Sequence, residues 1–177
     1  MEHSWNTPAM TNPNQTQAID PFHKEKWKGL SSQAVADYFL DLSRNEQPTA
    51  MPITNLKMQK LVYFAHFISL LSFKKPLISD EIEAWTYGPV IPSLYQSLRK
   101  WGDQPIAGNI ASDDNVEISL SSRIIVAKTW DKLKHLTAGQ LVGLSHRPGT
   151  PWEKIWNKGR GKFDNITNED IIDSLNG

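Results

Sequence analysis

Five histidines, one Ser-His pair, two acids spaced by a single residue and one basic glycine loop are the places where this chain could do chemistry. His3, His23, His66, His135 and His146 show neither the i, i+4 pairing nor the neighbouring carboxylates of a transition-metal site. With no cysteine in the chain there is no thiolate ligand, no disulfide framework and no cysteine nucleophile. Ser145 precedes His146 without a G-x-S-x-G elbow, and adjacency in sequence does not make a triad. At the end of a helix, a histidine such as His146 bonds free carbonyls and favours the negative end of the dipole. Glu81 and Glu83 share a face if their segment is extended, which fits acid-base work less often than a solvated strand face. KGRGK at 158–162 lacks the spacing and terminal Ser/Thr of a phosphate loop and is expected to be a basic loop. No catalytic residue, metal or cofactor follows from these patterns.

The densest signal is EAWTYGPVIPSLY at 83–95, with Trp85, Tyr87, Gly88, Pro89, Pro92 and Tyr95 in one window. Gly88 supplies φ freedom, Pro89 biases Tyr87 toward extended backbone, and Pro92 starts a helix, so the chain turns at a fixed angle. Trp85, Tyr87 and Tyr95 each offer a large apolar surface with a polar tip, which suits a buried corner or an interface anchor.

The elements around that window are mostly helical. Ser31 caps a helix carrying Ala34, Val35, Tyr38, Phe39 and Leu42, and Pro48 and Pro52 bar its continuation. Thr54 caps a long second helix, stapled by Ile53 and Met58, whose apolar residues cover so much of the circumference that it belongs at the centre. EIEAW suits a short strand ended by Gly88-Pro89, and the alternation of VEISL at 116–120 suits a second strand paired with it. Pro92 opens a short helix with Gly102 beyond its end. Ser121 or Ser122 opens a helix through Ile125, Val126, Trp130 and Leu133. Thr137 with Gln140, and Thr150 with Pro151 and Glu153, are capping boxes, and TNED starts a last helix before Ile171, Ile172 and Leu175. The fold class expected is mainly α with a small β element, a compact helical domain over 31–177 around a central hydrophobic helix.

Residues 1–30 are rich in Asn, Thr, Gln and Pro and are expected to form a disordered N-terminal extension, in which Trp5 is either incidental or a partner anchor. Nineteen basic and nineteen acidic side chains give no field to attract a polyanion, so nucleic acid is not an expected partner. The apolar run at 61–73 is too short for a membrane span and the N-terminus has no secretory pattern, which points to the cytoplasm. Charge is local instead. Residues 153–162 carry net +3 and 164–177 net −4, a pair of patches suited to solvent or to steering a charged protein.

ITNLKMQKLVYFAH at 53–66, EAWTYGPVIPSLY at 83–95 and LSHRPGTPW at 144–152, in that order, resemble the Panacea or SocA-like antitoxin domain over about Ser31 to Leu175. The family's L-x-K-L-x-Y pattern appears with Met58 in the leucine place, followed by Lys60, Leu61 and Tyr63. Its Thr-His and Pro-Trp region appears as Ser145, His146, Pro151 and Trp152, with serine replacing threonine. The resemblance implies a non-enzymatic antitoxin from bacteria, phages or mobile elements that binds a cognate toxin protein encoded beside it. It assigns Lys60, Tyr63, Glu83, Gly88, Pro89, His146 and Trp152 to the motif as structural positions. Trp85, Tyr87 and Tyr95, with the basic Lys154, Lys158 and Arg160, are the candidate toxin contacts. Two rival readings remain: a proteolytic adaptor or host-factor binder that delivers a target to a host protease, and a hydrolase that assembles His146, Glu83 and Tyr87.

Overall fold

A computed structural model describes residues 29–46, 51–110 and 116–174. Trp5, His3, His23, Pro48 and Leu175 lie outside the described residues, so the expectations placed on them stay as stated.

Helix α1 (Ser32–Asn45) starts where Ser31 accepts a bond from the Ala34 N–H, as the capping serine predicts. Helix α2 (Asn55–Phe73) starts on Thr54, which accepts from the Lys57 N–H, and ends at Lys74 in the left-handed region at φ 55°. Met58, Leu61, Val62, Ala65 and Leu70 of α2 are buried to within 1% of complete. Each such leucine contributes about 2 kcal/mol by leaving water. The helix also buries Asn55, Lys57, Gln59, Lys60, His66 and Ser69, so it is enclosed over most of its surface, with Leu71 and Ser72 exposed near its end. It contacts α1, α3 (Pro92–Leu98), α4 (Leu120–Leu133), α5 (Ala138–Ser145) and α7 (Asn168–Asp173), which makes it the axis of the domain. His66 is a structural tie here: its Nδ1 accepts from the Ile78 N–H at 3.2 Å and its Nε2 lies 2.8 Å from Asn168 Oδ1. Burial lowers its pKa, with the Asn168 bond opposing the shift, which matches a neutral ring donating from Nε2.

The small sheet differs from expectation. Strand β1 (Glu83–Trp85) pairs antiparallel with β2 (Gly88–Val90) across a turn at Thr86 and Tyr87, so Gly88-Pro89 begins the second strand instead of ending the first. Pro89 is tolerated because of register. It faces Ala84, whose own N–H and C=O are turned the other way, to Asp164 O and the Phe163 N–H at 2.9 and 2.8 Å. No ladder bond is therefore asked of the missing proline N–H. The outer edge of β1 is covered by that same 163–166 segment, with a further bond from the Ile166 N–H to Ile82 O. VEISL forms no strand. Its last residue, Leu120, begins α4, capped by Ser119 and not by Ser121 or Ser122, both of which are buried inside the helix.

The remaining start signals hold, with one change of partner. Thr137 and Gln140 form the full capping box of α5. Thr150 caps α6 (Pro151–Trp156), but Glu153 bonds the Gly149 N–H, one residue before the cap, and leaves the box open. Thr167 and Asp170 box the start of α7. No helix among the described residues is long and apolar enough to cross a membrane.

Candidate functional site

The hairpin is held from beneath by α2. Gln59 and Lys60 sit on its buried face, where Gln59 Oε1 accepts the Ile91 N–H at 2.8 Å and Lys60 Nζ donates to Pro89 O at 2.6 Å. Asn55 Oδ1 accepts from Gln59 Nε2 at 3.2 Å and orients that amide. Lys60 is fully buried, and loss of hydration pushes its pKa down to about 7. Gly88 closes over it at φ 97°: a Cβ there would stand 2.5 Å from Ser145 Oγ and 3.0 Å from Lys60 Cε. Only glycine serves both the left-handed backbone and the close approach.

A second support comes from α5 and α6. The His146 ring stacks on Trp152 with centroids 3.7 Å apart and planes 1° from parallel, and Trp152 stacks in turn on Trp156 at 5.3 Å. Trp152 Nε1 donates to Trp85 O at 2.8 Å, tying the stack to the end of β1. Burial, with the nearby Lys60 charge adding to it, lowers the His146 pKa. The expected cationic side chain bonding helix carbonyls is therefore replaced by an imidazole packed flat on an indole. It is the His146 backbone N–H that bonds Val142 O.

On the outer side of the hairpin lies a groove of about 660 Å³, walled by Trp85, Tyr87, Val90, Tyr95 and Phe163. Trp85 is fixed from three directions: Glu83 Oε2 accepts its Nε1–H at 2.8 Å, and Tyr95 and Phe163 flank its ring at 5.1 and 5.5 Å. Glu83 is thus committed to orienting an indole. Tyr87, at the tip, is 66% exposed, and Phe163 is 54% exposed. Phe163 holds φ 71°, a conformation that a non-glycine residue adopts at a cost of about 1–2 kcal/mol.

Of the sequence-predicted contacts, Trp85, Tyr87 and Tyr95 converge on this groove, while Lys154, Lys158 and Arg160 are exposed and do not line it. The cations that do are Arg99 and Lys162. Lys60, Gly88, Pro89, His146 and Trp152 gather beneath the hairpin. Tyr63 packs away from it, 2% exposed, against Phe64 and Phe67 at 5.3 and 6.3 Å, with its hydroxyl pKa raised by burial. His146, Glu83 and Tyr87 carry separate duties: stacking, orienting Trp85 and facing solvent. Sequence reasoning passed over Phe163, Arg99 and Gln59. Only Gln59 left a trace, as a polar side chain on a helix apolar nearly all round.

Residues 58–153 match the family described as antitoxin SocA-like, Panacea domain. Among curated proteins, Antitoxin SocA of Caulobacter vibrioides is 33% identical over 142 residues, covering 73% of this chain and 72% of that protein. No solved structure matches. The matched span carries the hairpin with Gln59, Lys60, His146 and Trp152 beneath it, and the chain belongs to the antitoxin SocA-like, Panacea domain family.

Proposed function

We propose that this protein is an antitoxin that neutralises a cognate protein toxin by binding it directly, with the aromatic groove beside the hairpin as the contact face. Membership of the family and 33% identity to Antitoxin SocA support the antitoxin role. The observation that carries the contact face is the exposure of Tyr87 on a hairpin whose backbone is bonded into the core. Rigid aromatic side chains lose little entropy on docking, and Trp and Tyr dominate interface energetics.

Co-expression with the product of the adjacent gene tests the role. Rescue of growth, with a complex that copurifies, is the expected result, and Tyr87→Ala abolishes both. A harmless neighbour that never copurifies would count against a cognate pair. Neutralisation that persists in a strain lacking the relevant protease separates direct binding from delivery of a target to that protease.

A further inference from the structure

We infer that the groove takes a segment of the toxin in which a large apolar side chain stands beside carboxylates, an inference that rests on the direct-binding reading above. The groove has two chemistries side by side. Its wall is aromatic, and the charged side chains that line it are Arg99, Lys162 and Asp103, two cations against one carboxylate. Among the described residues neither Arg99 nor Lys162 takes part in an ion pair, in contrast to Arg44 and Lys134, so neither is neutralised within the described fold. Lys162 Nζ stands 5.0 Å from the centre of the Phe163 ring, so its charge sits at the rim of the apolar wall. Asp103 Oδ1 meanwhile accepts from Gln104 Nε2 at 2.8 Å. The first turn of the 19-residue α2, through Thr54, Asn55 and Leu56, opens into the same groove and adds the positive end of its dipole.

A purely apolar partner would desolvate two unpaired cations, and a purely acidic one would leave the rings of Trp85 and Phe163 in water. A basic segment is turned away by like charge. The combination of an aromatic or large aliphatic side chain with adjacent Asp or Glu satisfies both halves at once. It also gives the encounter a favourable electrostatic approach, so salt weakens the complex chiefly through the association rate.

The test is the dissociation constant of the purified full-length antitoxin and its toxin, measured at about 50 and 500 mM salt. Three variants are compared: Arg99→Glu with Lys162→Glu, Phe163→Ser, and Lys128→Glu as a surface control on α4. The double reversal raises Kd at least tenfold at low salt and flattens the salt dependence, while the control stays within twofold. All four side chains are exposed, and matching thermal midpoints exclude misfolding as the cause. If Phe163→Ser weakens binding and the double reversal leaves it unchanged, the acidic segment is refuted while direct binding through the groove stands. If both leave a stable complex untouched, the toxin binds elsewhere and the groove assignment falls. If wild type forms no complex at all, the direct-binding reading falls with it.

Discussion

The two sides of the hairpin are built on opposite rules. Beneath it, Lys60, Gln59, Ser145, His146 and Trp152 lie in a junction where backbone groups of β2 and β1 are bonded to side chains and little is solvated. Outside it, Tyr87 at the hairpin tip and Phe163 on the segment bonded to the edge of β1 project rings into water. Of the motif residues of the sequence, Lys60, Gly88, Pro89, His146 and Trp152 fall on the first side, Glu83 orients Trp85 on the second, and Tyr63 packs away from both. Those beneath the hairpin fix where it stands, and the second side is the contact face proposed above. Residue types alike in a sequence, such as Trp85 and Trp152, thus serve different ends: one walls the groove and the other anchors it.

The sharpest way to break this contrast is pH. Lys60 ionises near pH 7 in the folded chain and near 10.5 when unfolded, so the unfolded state holds the extra proton between those values. Stability therefore rises as pH climbs from 7 toward 10, by an amount on the order of 4 kcal/mol from Lys60, and Lys60→Met removes that share, leaving the smaller slope of the same sign from Lys57, whose pKa burial also lowers. Urea midpoints at pH 7, 8, 9 and 10 measure it. Readings stop at pH 10 because buried Tyr63, with its raised pKa, takes stability away above that point. An unchanged slope in the variant would mean that water reaches the ammonium and that the junction is not dry.

Next in size is Gly88→Ala. The added methyl meets Ser145 Oγ and Lys60 Cε on a left-handed backbone, and a loss of about 3 kcal/mol is expected in chemical denaturation. Phe163→Gly acts on the outer side, where relief of the backbone and loss of the edge contact with Trp85 nearly cancel. Stability stays within about 1 kcal/mol of wild type while toxin affinity, read by calorimetry, drops at least tenfold. The smallest effect on stability belongs to Tyr87→Ser, within about 0.5 kcal/mol, yet this variant no longer rescues growth. A large stability loss from either outer variant would erase the distinction between the two sides.

Helix starts were legible because caps are local. Ser31, Thr54, Thr137, Thr150 and Thr167 each bond an N–H three residues on, a relation written in the sequence itself. The α4 cap at Ser119 and the open box at Glu153 are local misses, but the larger failures depend on distant partners. VEISL alternates like a strand, but pairing needs a neighbour, and the edge of β1 was already taken by residues 163–166. Pro89 looks like a strand breaker until the register turns its nitrogen away from Trp85 and Glu83. His146 looks cationic until Trp152 is laid against it. The aromatic half of the groove was readable because Trp85, Tyr87 and Tyr95 are neighbours in sequence. Its other half was hidden, since Arg99 follows α3 and the adjacent Lys162 and Phe163 arrive from a segment far along the chain.

The covered edges of the hairpin also bear on how such a surface can change over generations. With β1 paired on both sides, and Pro89 O and the Ile91 N–H taken by Lys60 and Gln59, little main chain is open for another strand to template upon. If this face binds the toxin as proposed, recognition is left to side chains alone. A substitution at the tip then changes the side chains offered to a partner without redrawing the scaffold, and the same closure leaves this hairpin little free strand edge for edge-to-edge pairing between copies.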